Sequence, residues 1–155
     1  MKLQRTVGLL IIISLLNMNP ALGSQSSTKE LKPPCRLQVG IAHLSTDLFE
    51  KFRIRAVKVN ASSICNVPQT NVTITVEIWK KGLLGNHFVW KKTINSLGTT
   101  YPGSQVNNSS TYMRCKDKTP TYYYGVSYSK ALIDGKWQYA RHVLSKETPP
   151  LMCGT

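Results

Sequence analysis

Strict alternation of apolar and polar residues constrains the fold of this chain more than any other feature of its sequence. From Val72 to Ile78 the apolar positions are Val or Ile, and the positions between them are Thr or Glu. A period of two with β-branched side chains is typical of a strand that buries one face only. Comparable runs start at Leu37, Phe52, His87, Thr111, Tyr122 and Trp137. We therefore predict an all-β fold, an antiparallel sandwich of about seven strands.

The segments between these runs predict where the chain turns. Asp134-Gly135 is a strong signal for a two-residue hairpin. Leu97–Ser110 is rich in Gly, Thr, Ser and Asn and predicts a long loop, and Pro149-Pro150 predicts the end of regular structure. Ser45–Lys51 is the one helical candidate, with Ser45 or Thr46 as its cap, and it is too short to organise the fold.

Residues 1–23 have the pattern of a secretory signal peptide. Basic residues precede the apolar run Thr6–Leu16, and small residues precede a cut before Ser24. The run is shorter than the roughly 20 residues that cross a bilayer, which argues against a membrane anchor. We therefore predict secretion, with residues 24–34 as a flexible lead-in and residues 35–155 as a single domain.

Four cysteines follow the predicted leader, and an even number in a small secreted domain predicts two disulfides. Three pairings are open. Cys35 and Cys153 lie near the ends of the domain, whereas Cys65 and Cys115 are interior. We favour the nested pairing, Cys35–Cys153 with Cys65–Cys115, because long closed loops gain most in the chain-entropy model.

The order Cys65, Trp79, Cys115 resembles in part the Cys…Trp…Cys spacing of the immunoglobulin superfamily. The tyrosine corner of that family would need a tyrosine two residues before Cys115, where this chain has Met113, and Tyr112 lies one position earlier. The resemblance implies immunoglobulin-like architecture, not membership of the family.

Sequence patterns of enzymes and metal sites are missing. No Gly-x-Ser-x-Gly, His-Glu-x-x-His, Cys-x-x-Cys or glycine-rich phosphate loop occurs. His43, His87 and His142 are scattered without ligand spacing. We therefore expect no catalytic residue, no metal and no cofactor. A small hydrolase such as a ribonuclease would need these histidines to converge with Glu77.

Four Asn-x-Ser/Thr sequons predict N-glycosylation on a eukaryotic secretory route. They lie at Asn60, Asn71, Asn107 and Asn108. Because Asn107 and Asn108 are adjacent, we expect only one of these two to carry a glycan.

The chain is strongly basic, with 20 Lys and Arg against seven Asp and Glu and a net charge of +13. Loss of the predicted leader removes only Lys2 and Arg5 from the basic set. Such a charge favours an acidic extracellular protein or an anionic glycan as partner, with a membrane surface as the alternative. Nucleic acid is not expected, because no nucleic-acid motif is present. The alternative is that the positive charge serves only to keep the protein in solution.

The segment from Trp79 to Lys92 carries the sharpest local signal for binding. Two lysine pairs flank two leucines that lie between glycines at a predicted hairpin tip. The residues are Lys80, Lys81, Leu83, Leu84, Lys91 and Lys92. Cations beside tryptophans, with an apolar tip, suit an edge that binds anionic glycans or membranes. The alternative is an edge strand that lysines protect from aggregation, with the leucines folded onto the core.

A second basic group comprises Lys51, Arg53, Arg55 and Lys58, and the first three of these would share one face of a strand. If that strand lies near the hairpin, the two groups form a continuous cationic face that binds phosphate or sulfate. A solvated strand face explains the same pattern.

Aromatic residues cluster on the two strands predicted toward the end of the chain. The cluster comprises Tyr122, Tyr124, Tyr128, Trp137 and Tyr139. Such residues anchor interfaces or pack across strands in a core, and core packing is the simpler explanation. Tyr123 faces the other way in this scheme, so it is the tyrosine that we expect to be exposed.

These features together predict a secreted, basic, N-glycosylated binding or effector domain for an acidic extracellular partner. The alternative is a membrane-active toxin or antimicrobial protein that uses the tip at Leu83 and Leu84. A small secreted hydrolase ranks third.

Overall fold

The computed structural model describes residues 34–155, which form ten strands and one short helix. In chain order these are β1 (Cys35–Val39), β2 (His43–Leu44), α1 (Thr46–Phe52), β3 (Ala56–Cys65), β4 (Gln69–Gly82), β5 (Gly85–Thr100), β6 (Gln105–Arg114), β7 (Asp117–Thr121), β8 (Tyr123–Ile133), β9 (Lys136–Leu144) and β10 (Leu151–Gly154). The predicted leader, and the predicted lead-in apart from its last residue, lie outside the described residues. Within the described range, no helix has the length and apolar character needed to cross a membrane. The predicted all-β, antiparallel class is confirmed.

The strands form three antiparallel sheets. Sheet A has β3 at its centre, with β6 on one side and β1 and β2 on the other. Sheet B has the order β5-β4-β8-β9 and consists of two hairpins joined along β4 and β8. Strands β7 and β10 form a separate two-stranded sheet.

One hydrophobic core joins sheet A to sheet B. The inward residues predicted for β4, from Val72 to Ile78, are completely buried and belong to the same cluster as Val57 and Val59 of β3. The sheets approach each other closely at Gly125 of β8, where a Cβ atom would lie 2.5 Å from Val59 Cγ1. The missing side chain at Gly125 is therefore what lets β8 lie this near to β3.

The predicted helix is present as α1, and it changes the assignment of the residues that follow it. Ser45 caps the helix, because its Oγ accepts a hydrogen bond from Leu48 N at 3.3 Å. Arg53 ends the helix in the left-handed conformation, with φ 56°. Strand β3 begins only at Ala56. The prediction that Lys51, Arg53 and Arg55 share one face of a strand is therefore wrong.

The disulfides join cysteines that are neighbours across the sheets, so the nested pairing is wrong. Cys35 is bonded to Cys65, which lies directly opposite it in the pairing of β1 with β3. Cys115 is bonded to Cys153, because β10 pairs with β7 just after Cys115. Each cysteine thus meets a partner 30 or 38 residues away, and neither bond spans the whole domain.

Each of the seven predicted strands has a counterpart, and three further strands went unpredicted. These are β2, β7 and β10, which are two, five and four residues long. Strands this short offer too few residues for an alternating pattern to be recognised. Strand β10 also follows Pro149-Pro150, so the prediction that regular structure ends there is wrong.

The two turn predictions had opposite outcomes. The hairpin at Asp134-Gly135 is confirmed, with φ values of 48° and 72° that suit a tight two-residue turn. The long loop over Leu97–Ser110 is wrong, because β5 continues to Thr100 and β6 begins at Gln105. Backbone groups form these ladders, and they need no apolar side chains to do so.

Candidate functional site

In its middle section, strand β8 turns small side chains to the core and large ones to solvent. Gly125, Ser127 and Ala131 are buried, whereas the alternate side chains from Tyr124 to Leu132 point outward and are half-buried. A sheet that covers a core usually has the opposite pattern. We call the solvent side of sheet B the aromatic face. Its large members are Trp79, Phe88, Tyr124, Tyr128, Lys130, Trp137, Tyr139, His142 and Leu144.

Three rings contact each other at one end of the aromatic face. Trp79 of β4 lies between Phe88 of β5 and Tyr124 of β8. Its ring centroid is 5.6 Å from that of Phe88, edge to face, and 6.3 Å from that of Tyr124, stacked. Burial raises the pKa of Tyr124, and the charges of Glu147 and Glu77 add to the shift. The rings hold one another in place while Phe88 stays 48% exposed, so they offer a rigid surface to a partner.

A carboxylate, Glu77, occupies the middle of the aromatic face. Trp79 Nε1 donates a hydrogen bond to Glu77 Oε2 at 2.9 Å, and Tyr128 Oη donates to Oε1 at 3.5 Å. Lys91 lies directly opposite Glu77 on β5. The carboxylate of Glu77 is therefore held by two ring donors of the face.

Cations and rings alternate on the other half of the aromatic face. Lys130 Nζ lies 4.9 Å from the centroid of the Trp137 ring, a cation–π distance. His142 meets Tyr128 edge to face at 4.7 Å. Tyr139, directly opposite Lys130, is 72% exposed. This half can present positive charge beside exposed rings, which suits an acidic surface with apolar parts.

The β4–β5 hairpin extends past the rest of sheet B. Strand β8 pairs with β4 no further than Lys80, and the residues from Lys81 to Phe88 are all exposed. The tip side chains Leu83 and Leu84 are 102% and 96% exposed. The alternative in which these leucines fold onto the core is therefore wrong, and they form a free apolar tip.

The first lysine pair ties this hairpin to the C-terminal segment. Lys80 Nζ donates to the carbonyl oxygen of Thr155. Lys81 forms an ion pair with Glu147 at 2.9 Å, and the hydrogen bond and charge of Glu147 raise the pKa of Lys81. Lys80 and Lys81 are thus already engaged within the molecule.

The other predicted cations do not form a continuous face. Lys91 and Lys92 are neighbours in β5, so their side chains point to opposite sides of the sheet. Lys51 lies on α1, Arg53 at its end, and the half-buried Arg55 leads into β3 of sheet A. Because these residues belong to a helix and to two different sheets, only Lys91 adds to the aromatic face.

Tyr123 is not a surface residue, and its predicted exposure is wrong. The side chain is completely buried, and its Oη donates a hydrogen bond to Cys153 O at 2.6 Å. Tyr122 is the exposed neighbour, at 46%. The alternation of this strand was predicted correctly, but the inward and outward faces were assigned the wrong way round. Because the side chains of a strand alternate with a period of two, an error of one residue exchanges the two faces completely.

The four sequon asparagines occupy different environments. Asn71 and Asn107 are exposed, and Asn60 is half-buried with an unpartnered Oδ1. Asn108 is completely buried, and its Nδ2 donates to two main-chain carbonyl oxygens of sheet B at 3.0 and 3.1 Å. A glycan on this nitrogen would replace those hydrogen bonds in a site without space. Of the adjacent pair, only Asn107 has room for a glycan in the folded protein.

The three histidines lie apart. His43 belongs to β2 of sheet A, whereas His87 and His142 lie on β5 and β9, the opposite edges of sheet B. Over residues 34–155, no three His, Cys, Asp or Glu side chains are grouped so that they could hold a metal ion. The convergence that a histidine-based hydrolase needs is therefore not supplied by these residues.

Sequence reasoning recognised the aromatic cluster but missed that it forms a surface. A signal was present, because Gly125, Ser127 and Ser129 alternate with the outward residues of β8. Small residues on one face of a strand indicate a close approach of another layer.

The chain matches no model of a known protein family, and no curated protein is significantly similar to it.

Proposed function

We propose that this chain is a secreted, N-glycosylated binding domain that recognises an acidic extracellular protein through its aromatic face. The observation that carries the proposal is the orientation of the middle of β8, which turns Tyr124 and Tyr128 to solvent and small residues to the core. Exposed rings grouped in this way mark interaction sites more often than isolated exposed residues do. The nearby cations Lys91 and Lys130 favour an acidic partner.

The disulfides and sequons support the extracellular part of the proposal. Two disulfides fit an oxidising compartment. Asn60 and Asn107 lie on strands β3 and β6 of sheet A, and Asn71 lies at the end of β4 remote from the hairpin tip. Glycans on these residues would leave most of the aromatic face open.

We further propose that sheets A and B form a sandwich of immunoglobulin-like architecture. Strands β1, β3 and β6 correspond in order and pairing to strands A, B and E of that fold, and β4, β8 and β9 correspond to C, F and G. Strand β5 takes the place of C′. Neither disulfide corresponds to the inter-sheet bond of antibody domains, so the likeness concerns architecture alone.

The test is binding of the full-length, secreted, glycosylated protein to a panel of receptor ectodomains and an array of sulfated glycans at physiological salt. Lys130→Glu and Tyr139→Ala change the aromatic face, whereas Arg36→Glu makes the same charge reversal at an exposed position of β1 in sheet A. We expect a protein partner whose binding falls about tenfold or more with either face variant. Arg36→Glu should leave this binding unchanged.

Equal losses for Lys130→Glu and Arg36→Glu would contradict the proposal, because net charge would then determine binding. Binding to sulfated glycans alone, lost steeply as salt rises, would contradict it in the same way.

A second candidate function rests on the hairpin tip. Leu83 and Leu84 are fully exposed, and Phe88 and Trp90 are about half exposed nearby. An apolar tip above a basic hairpin suits insertion into an anionic membrane. If the protein is membrane-active, it should release dye from anionic vesicles, and the Leu83→Ser/Leu84→Ser variant should not. Vesicles that stay intact with the unmodified protein would exclude this function.

A further inference from the structure

A cavity of about 400 Å³ lies between the edges of the two large sheets, behind the aromatic face. Strand β1 of sheet A forms one wall, and β8 and β9 of sheet B form the other. Its volume falls within the roughly 300–1,000 Å³ of small-molecule sites. The apolar part of the lining includes Leu37, Ala131, Ile133, Ala140 and Val143.

The amide of Gln69 lines this cavity without a hydrogen-bond partner among residues 34–155. Gln69 is only 1% exposed, and its Nε2 is buried and unpaired. Its Oε1 lies 2.9 Å from Cys65 Sγ, but this sulfur is bonded to Cys35 and has no hydrogen to donate. Buried amides are almost always paired with protein, water or a ligand. Gln69 therefore supplies an unused donor inside a cavity whose lining is mainly apolar.

Arg141 supplies an unused cation at the exposed border of the same cavity. In the described part of the chain, the ion pair found is Lys81–Glu147, so the guanidinium of Arg141 has no carboxylate partner there. Guanidinium groups pair with carboxylates through two parallel hydrogen bonds. The net charge of +13 favours an anion at this position as well.

The strand register sets the spacing of these two groups. Continuing the pairing of β4 and β9 with β8 puts Gln69 level with Ile133 and Arg141 level with Tyr128. Five residues of β8 span roughly 16 Å, the length of an extended ligand of about twelve atoms.

We propose that this cavity binds a slender amphipathic carboxylic acid with an oxygen at its far end. The carboxylate pairs with Arg141, the apolar chain lies along Leu37 and Val143, and the far oxygen accepts a hydrogen bond from Gln69 Nε2. The site lies on the core side of β8 and β9, opposite the aromatic face, and Tyr139 borders both surfaces.

Three probes test the proposal by isothermal titration calorimetry on the full-length secreted protein. They are 10-hydroxydecanoic acid, decanoic acid and 1-decanol. We expect the hydroxy acid to bind about fivefold tighter than decanoic acid. Of the two acids, only the hydroxy acid has an acceptor that reaches Gln69 while its carboxylate pairs with Arg141. We expect 1-decanol to bind about tenfold more weakly than decanoic acid, because it lacks the carboxylate.

Variants assign the binding to the cavity. Gln69→Leu removes the unpaired amide, so it should keep the melting temperature and abolish the preference for the hydroxy acid over decanoic acid. Val143→Trp should fill the cavity and abolish binding of all three probes, whereas Leu144→Trp, outward on the same strand, should not.

The proposal is overturned if none of the probes binds, or if the hydroxy acid shows no advantage over decanoic acid. An advantage that persists in Gln69→Leu overturns it equally. If Val143→Trp does not fold, the comparison of the two acids on Gln69→Leu decides the question alone.

Discussion

Replacing Asn108 by alanine should destabilise the protein strongly, because this buried side chain links sheet A to sheet B. Asn108 Nδ2 donates to Ile74 O at 3.1 Å and to Lys92 O at 3.0 Å, on β4 and β5 of sheet B. Its Oδ1 accepts from Thr111 Oγ1 at 3.1 Å and from Ser110 within its own strand. Asn108→Ala therefore removes the partners of two main-chain acceptors and leaves a small void.

The expected loss follows from these contacts. A buried polar group that loses its partner costs about 1–3 kcal/mol, so two acceptors give a loss of about 3 kcal/mol in the free energy of unfolding. This is a large part of the about 5–15 kcal/mol that holds a typical domain together. With a urea slope of about 1–3 kcal/mol per M, the unfolding midpoint should fall by about 1–3 M.

Urea unfolding of Asn108→Ala and Asn107→Ala, both made without N-glycans under oxidising conditions, provides the comparison. Asn107 is the exposed neighbour on the same strand, so its replacement should change stability by less than about 0.5 kcal/mol. Equal urea midpoints for the two variants would refute the reasoning, because the buried amide of Asn108 would then contribute no more to stability than the exposed amide of Asn107.

Three further predictions concern single side chains and can be checked by unfolding measurements. Gly125→Ala should lower the free energy of unfolding by about 1–3 kcal/mol, because the added methyl group would lie 2.5 Å from Val59 Cγ1. An unchanged urea midpoint would contradict this, since it would mean that the two sheets move apart at no cost. Tyr123→Phe should cost about 1 kcal/mol in the same assay, because Cys153 O loses its buried donor, and a gain in stability would contradict this. The pKa of Asp117 is lowered, chiefly by the backbone N–H of Thr119, so its carboxylate stabilises the fold above the ordinary value of 3.8 and loses this effect as pH falls through the lowered value. Melting temperatures of Asp117→Asn should therefore lie below those of the unmodified protein at neutral pH and converge with them in acid, and a constant difference would exclude the linkage.

Local sequence patterns were enough for the elements that depend on neighbouring residues. Alternation located β4 and its buried face, Asp134-Gly135 located a hairpin, and Ser45 located the start of α1. Each of these rests on the geometry of one strand, one turn or one cap, so no distant residue is needed to recognise it. The all-β class follows from the same local information.

The candidate sites depended on contacts that no local pattern encodes. Tyr124 and Tyr128 of β8 lie on the face opposite Gly125, whose missing side chain lets this strand lie against Val59 of sheet A. The cavity is lined jointly by β1 of sheet A and β9 of sheet B, and Gln69 reaches it from β4.

The sequence by itself determined the all-β class, the alternation of the longer strands, the hairpin, the helix cap and the basic character of this protein. Only the tertiary structure decided that Cys35 meets Cys65, that Tyr123 is buried, and that Asn108 differs from Asn107. The physical reason is that pairing, face and burial are set by residues far apart in the chain. A strand with period two has two possible inward faces, and only the layer that packs against it selects one.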